Sequence, residues 1–324
     1  MYPSSSVLIG LAKALDVSLD FLMSEQVLAL SGVEFRKHSG ATAAERALAE
    51  SAVIDAVERH LALDEILELN SERNDLPQEK VTVKSLADVE CEADALRERW
   101  KLGLDPIPTI TGLLEDKGIK IIAVDIPKRL SGLTGDVRRP HNKPDVPIIV
   151  VSTQFRIERR RFTLAHELAH RIIGDCEGDL KPEKAMDRFA AAFSIPAKHL
   201  REEVVGARDA LPPYNEIVRL KHLYGVAAAA ILMRLRDIEV LSDATVSYAF
   251  QTYARPWNTA EPMPLDPKGD CGKLEEPTRF ERSVYWALAD HLISLPRAAE
   301  LLRRPVSQVE EAFRGPAVGA PTSC

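Results

Sequence analysis

The sequence predicts an α+β fold, and three observations predict it. Between residues 118 and 151, short apolar runs at 118–125, 130–137 and 147–151 are set off by glycine or proline and read as strands. On either side, residues 43–72, 88–100 and 279–314 place apolar side chains at three- and four-residue steps, the period of a helix. The third observation is the stretch 159–173, which contains H-E-x-x-H within a helical pattern. His166 and His170 stand one turn apart on one face, while Leu164, Leu168, Ile172 and Ile173 can bury the other. Two imidazoles so placed can hold one metal ion, and Glu167 can reach a metal-bound water without ligating the metal.

Bulk properties narrow the class. The chain has 324 residues, 45% of them apolar and 28% charged, which is ordinary for a globular protein. Its net charge of −7 provides no global basic field for nucleic acid. No apolar run approaches the ~20 residues of a membrane span, and the start has no secretory pattern. Cys91, Cys176, Cys271 and Cys324 are scattered without a C-x-x-C, the usage expected of free thiols in the cytoplasm.

Residues 4–15 read as a serine-capped helix, and residues 18–23 as a second, short one. The pattern P-S…L…L-A-x-A-L-x-V-S-x-D-x-L over 3–22 resembles the closing part of a Cro/repressor-type helix-turn-helix domain. In that resemblance residues 1–24 are a remnant whose recognition helix would lie upstream of Met1, so major-groove readout is not expected. Residues 32–37 read as a short extended segment, and 25–78 as a helical connector or dimer surface. After polar residues 70–78 come helices at 88–100 and 106–114, three strands, and the histidine helix.

A catalytic zinc needs about three protein ligands and an open position. Residues 181–196 form an amphipathic helix that begins at a proline and stops before Pro196, with Glu183 and Asp187 on one face. Either carboxylate can reach the metal. Asp175, Glu177 and Asp179 are nearer in sequence but read as a solvated acidic loop. His199, His141 and Tyr214 are candidates to stabilise an oxyanion.

The blocks R-R-x-F-T-L-A-H-E-L-x-H and E-x-x-x-[ND]-x-F-A-A-x-x-x-x-P occur in order in 159–196, after a G-L-x-G turn at 132–135. Together they resemble the ImmA/IrrE family of zinc metallopeptidases over residues 85 to 260. The resemblance implies a zincin-like domain at 79–260. It implies Zn²⁺ (Mn²⁺ as the alternative) on His166, His170 and Glu183, with Glu167 activating water and Asp187 as an orienting residue or alternative ligand. It also implies an edge strand beside the metal helix that takes the substrate backbone by strand addition, assigned to Ile148, Ile149, Val150 and Val151. Ala185 stands where the family often has an acid, and Phe193-Ser194-Ile195-Pro196 replaces L-L-M-P. Neither departure removes a ligand.

Residues 214–236 read as a helix pair broken at Gly225, 261–278 as a linker, and 279–314 as three short helices similar to the helix-turn-helix core of a C-terminal appendage on longer members of the family. Arg297, Arg303 and Arg304 make that segment basic, and 315–324 reads as a tail. The expected function is a cytoplasmic metallo-endopeptidase acting on a transcriptional repressor or antitoxin in a stress response. The alternative is a DNA-binding regulator or antitoxin-like protein whose metal domain is structural or sensory.

Overall fold

The computed structural model describes residues 4–15, 29–31, 42–70, 74–126, 131–139, 143–204, 209–267 and 272–315. The second short helix at 18–23, the extended segment 32–37, His141, Cys271, Cys324 and the tail beyond Gly315 lie outside the described residues. The chain is α+β and mostly helical. In order it forms α1 (Ser5–Leu15), β1 (Ala29–Ser31), α2 (Ala43–Ile66), β2 (Val81–Val83), α3 (Leu86–Arg99), α4 (Ile110–Asp116), β3 (Lys120–Val124), β4 (Gly132–Arg138), β5 (Val146–Ser152), α5 (Ile157–Ile172) and β6 (Ile173–Cys176). There follow α6 (Pro182–Ser194), α7 (Ala197–Glu203), α8 (Tyr214–Tyr224), α9 (Ala228–Asp237), α10 (Asp243–Gln251), α11 (Arg279–Ala289), α12 (Leu295–Leu302) and α13 (Val306–Arg314). Among the described residues no helix is long and apolar enough to cross a membrane.

The main sheet has the order β1-β4-β5-β3. β5 runs parallel to β3, Lys120 opposite Ile148, and antiparallel to β4, Gly132 opposite Val151. Every residue of β5 is buried, as its unbroken apolar run requires. This overturns the assignment of Ile148, Ile149, Val150 and Val151 to a substrate-binding edge. Both sides of the strand are already hydrogen-bonded, so no peptide can be added there.

The sheet separates two cores. Ile149 and Val151 face α3, α5 and α6, among Leu164, Leu168, Phe189 and Phe193. Ile148 and Val150 face α2, packing with Val53, Val57 and Leu61. So α2 is not a connector. It covers the back of the sheet, and at its far end Leu63 joins the core of α11 to α13. A further core binds α7 to α10.

The stretch expected to be a linker, 261–278, is also built into the fold. Glu261 reaches the buried Lys221 at 3.2 Å, Leu265 N–H donates to Glu158 at 2.9 Å, and Asp266 accepts from the N–H groups of Ile157 and Gly272 at 3.1 and 2.6 Å. Glu275, 1% exposed, accepts from the N–H groups of Ile110 and Thr111 at 3.1 and 2.9 Å. It thereby caps α4 together with Thr109. Composition hides this role, because a strap whose polar groups bind one helix looks like any proline- and glycine-rich loop.

Candidate metal centre

The metal helix α5 has an unusual first half. Of the three consecutive arginines only Arg159 is exposed, lying over the Phe155 ring at 4.5 Å. Arg160 and Arg161 are 1% and 4% exposed. Arg160 donates to the carbonyls of Gly272 and Thr153 at 2.6 and 3.0 Å. Arg161 donates to the carbonyls of Ile107 and Pro108 at 2.6 and 2.9 Å and pairs with Glu275. Gly272 must be glycine here: its φ is +70°, and a Cβ would meet Arg160 Cζ at 2.4 Å. Glu158 accepts from Lys221 Nζ at 2.6 Å, and both are buried. The helix start, whose Arg156 makes no side-chain cap, is thus fixed by the 261–275 strap.

One turn further on the helix opens. His166, His170 and Glu183 each offer an atom within 4.8 Å of the others. His166 Nε2 lies 3.4 Å from Glu183 Oε2. Two ligands of one tetrahedral zinc, at about 2.0–2.1 Å from it, stand roughly 3.4 Å apart. The opposite nitrogen, His166 Nδ1, is 2.9 Å from Asp187 Oδ1, so Asp187 fixes the imidazole's orientation rather than joining the cluster. Glu183 and Asp187 come from successive turns of α6, which packs on α5 through Phe189, Ala190 and Phe193. Arg188, next after Asp187 in the chain, is anchored to Glu90 and Asp237, both at 3.0 Å.

Glu167 is 7% exposed and sits against Gly132, where an added Cβ would meet Glu167 Cγ at 3.4 Å and Thr163 Cγ2 at 2.4 Å. Burial pushes its carboxyl up to about 7, with Glu183 adding to the rise and His166 opposing it. For His166 itself, burial lowers the affinity for a proton, but the hydrogen bond to Asp187 and the charges of Glu167, Asp187 and Glu183 outweigh it and raise the pKa. Arg171, next after His170, grips Asp136 of β4 through two bonds of 2.6 and 2.8 Å. That ties the helix to the sheet on the side of the cluster.

The other sequence candidates fall elsewhere. His199 Nδ1 is bound to Tyr224 Oη at 2.8 Å beside the α7–α10 core, and Tyr214 is exposed at the start of α8. Neither joins the cluster. Ile173 leaves the helix and, with Asp175 and Cys176, forms β6 beside β2, so the acidic stretch is partly a strand. Glu177 then pairs with Lys84 at 3.1 Å. The buried roles of Arg160, Arg161, Glu158 and Lys221 were not seen in the sequence. The one available signal was three arginines on a helix whose period leaves two of them facing inward.

Residues 114–236 match the family Peptidase_M78, described as the IrrE N-terminal-like domain. The chain is 31% identical over 123 residues to the radiation response metalloprotease IrrE of Deinococcus deserti, a match covering 37% of this chain and 40% of that protein. It therefore spans well under half the length of that relative. The family match contains α5 and α6, the helices that carry the cluster. Residues 114–236 are thus similar to the IrrE N-terminal-like domain of the Peptidase_M78 family, and the chain has a distant likeness to IrrE.

Proposed function

We propose that the chain is a zinc metallo-endopeptidase with a zincin-like domain. The observation that carries this reading is the 3.4 Å approach of Glu183 to His166, whose other nitrogen is already held by Asp187. His166, His170 and Glu183 hold the ion. Two imidazoles and a carboxylate fit zinc, and manganese is the alternative. When bound, zinc supplies Lewis acidity, acidifying water and polarising a peptide carbonyl. Glu167 takes the proton of the attacking water and passes it to the leaving amine.

The substrate backbone docks along β4, not β5. β1 pairs with β4 at Asp136–Arg138, the end of β4 away from Gly132. Gly132 touches Glu167 and Thr163 across the closest part of the helix. An extended peptide added there would pass directly in front of the cluster. The substrate is a repressor or antitoxin cut in a stress or gene-regulation response. The relative's designation as a radiation response metalloprotease supports a stress role.

The test is incubation with the proteins encoded beside this chain, with and without chelator, read by mass spectrometry. Cleavage at one site that stops with chelator and in Glu167→Gln, while zinc stays bound to that variant, is expected. Cleavage that persists in the variant would overturn the assignment of Glu167.

A further inference from the structure

A cleft of about 710 Å³ lies where the end of α3, the chain leading into β2 and the last turn of the metal helix α5 meet, and none of the metal-cluster residues lines it. The volume falls in the range of roughly 300–1,000 Å³ that small-molecule sites occupy. The acceptor side chains on its walls are engaged. Asp75 lies 3.4 Å from Lys117, and Asn74 Oδ1 accepts from the Leu76 N–H at 3.1 Å. Arg171 lines the cleft too, with its charge met by Asp136. Trp100 and Leu76, 5% and 9% exposed, offer little apolar surface.

Three donors on the same walls are uncommitted. Lys80, Arg99 and the Gln78 amide are exposed, and among the described residues no hydrogen bond or ion pair engages any of them. Their stems are held by the fold. Lys80 directly precedes β2, whose Val81 pairs with Ile173, and a Cβ on Gly174 would meet Lys80 Cβ at 3.1 Å. Arg99 ends α3, which is anchored in the core by Val89, Ala93 and Leu96. Its place at a helix C-terminus accounts for one cation, but Lys80 reaches the same cleft from a strand. Partial enclosure of the Lys80 amine lowers its pKa, the Arg171 guanidinium adds to the fall, and Asp136 opposes it without prevailing. Asp136 is already gripped by Arg171, so Lys80 has no carboxylate of its own.

We propose that this cleft binds an oxyanion, a carboxylate or a phosphate-like group, through Lys80, Arg99 and Gln78. A cation would meet two unpaired positive charges. An apolar molecule would find the apolar side chains already covered. The group belongs either to a free ion or to an acidic side chain of a peptide, and in both cases it ties α3 and β2 to the last turn of the metal helix.

Calorimetric titration of the full, zinc-loaded chain at fixed ionic strength tests this with sodium sulfate, an end-blocked tetraglutamate peptide and its tetraglutamine counterpart. At least one of the two anions is expected to saturate a single site. Sulfate binding at least as tightly as tetraglutamate identifies a free ion as the occupant, and the reverse order identifies an acidic peptide. Lys80→Gln combined with Arg99→Gln is expected to weaken the tighter anion by ~10-fold or more, since charge-assisted hydrogen bonds are lost. Both side chains are exposed and unpaired, so the melting temperature of that variant should hold. Gln78→Glu keeps both cations but sets a competing carboxylate beside them, and it is expected to abolish binding. No saturable binding of either anion would overturn the proposal. So would tetraglutamine binding as tightly as the tighter anion, or anion binding that is unchanged in the variants.

Discussion

The two halves of α5 treat buried carboxyls in opposite ways. At the strap, Glu158 and Glu275 are 4% and 1% exposed, and each is met by a cation and by backbone N–H groups. Burial works against the Glu158 carboxylate, but the hydrogen bonds from Lys221 and Leu265 prevail and hold its pKa below the usual range. At the metal face, Glu167 is 7% exposed and among the described residues has no such hydrogen bonds, so its pKa rises. Enclosure is common to both halves, and what differs is whether the protein supplies the carboxylate with a cation and a backbone N–H, as it does for Glu158 and Glu275 although Glu158 Oε2 itself has no partner. Where it does, the helix is anchored. Where it does not, a ligand or a reacting proton has a place.

The largest expected effect is on the open half. Glu167→Gln should reduce peptide cleavage by ~10³-fold or more, since it removes the general base, a group worth roughly 10²–10⁴-fold. Its melting temperature should stay near that of the parent, because no hydrogen bond or ion pair to a protein cation is broken. Activity assays and thermal melts on one preparation check both. A large loss of stability would mean that Glu167 is a structural carboxyl like those at the strap.

Next in size is the reverse experiment. Arg161→Met strips Glu275 of its cation and leaves the carbonyls of Ile107 and Pro108 without their donor. Removing one partner of a buried pair costs about 3–5 kcal/mol. At about 2–4 °C per kcal/mol, the melting temperature should fall by roughly 10 °C. Adding Glu275→Gln should recover part of the loss, because the stranded charge goes with it. If the double variant is worse than the single by the full cost of a second lesion, the pair is not coupled as described.

Asp187→Ala tests the boundary between the halves, where a protein carboxylate orients a ligand without binding the metal. Losing such an outer partner typically weakens metal affinity about 10–100-fold, with the ion still bound at saturation. Zinc titration against a chromophoric chelator reads this directly. A complete loss of the site would make Asp187 a ligand and demote Glu183.

Much of this was legible in the sequence for a simple reason. Helical period puts His166 and His170 on one face, and Pro182 starts the helix that brings Glu183 to them. Unbroken apolar runs gave the strands to within a few residues. What was not legible is neighbourhood. Nothing in the residues 148–151 says that β4 lies on one side of them and β3 on the other, and an interior strand and a buried edge strand read alike. Nor does the composition of 261–278 reveal that its carboxylates and carbonyls bind arginines more than a hundred residues away. Polar groups that satisfy one another across the chain leave no periodic trace.

Glu115 extends the comparison to α4, whose two ends differ as the halves of α5 do. Glu275 caps the first turn, while burial pushes the carboxyl of Glu115, in the last turn, up to about 7 despite a hydrogen bond to the Arg279 backbone and the charge of Arg279. The sign follows from proton binding. Between the ordinary glutamate value near 4.5 and 7, the native state keeps a proton that the unfolded chain has released. Stability from this group is therefore fully present below about pH 4.5 and declines as pH rises to 7, by at most ~1.4 kcal/mol per pH unit and about 2 kcal/mol in all after relaxation. Glu115→Gln should flatten that part of the stability–pH curve and leave the variant more stable than the parent at pH 8, while the two converge at pH 5. Urea unfolding at the two pH values measures it. A parent that gains stability across this window relative to the variant would mean that the ionised Glu115 is held as firmly as Glu275 is.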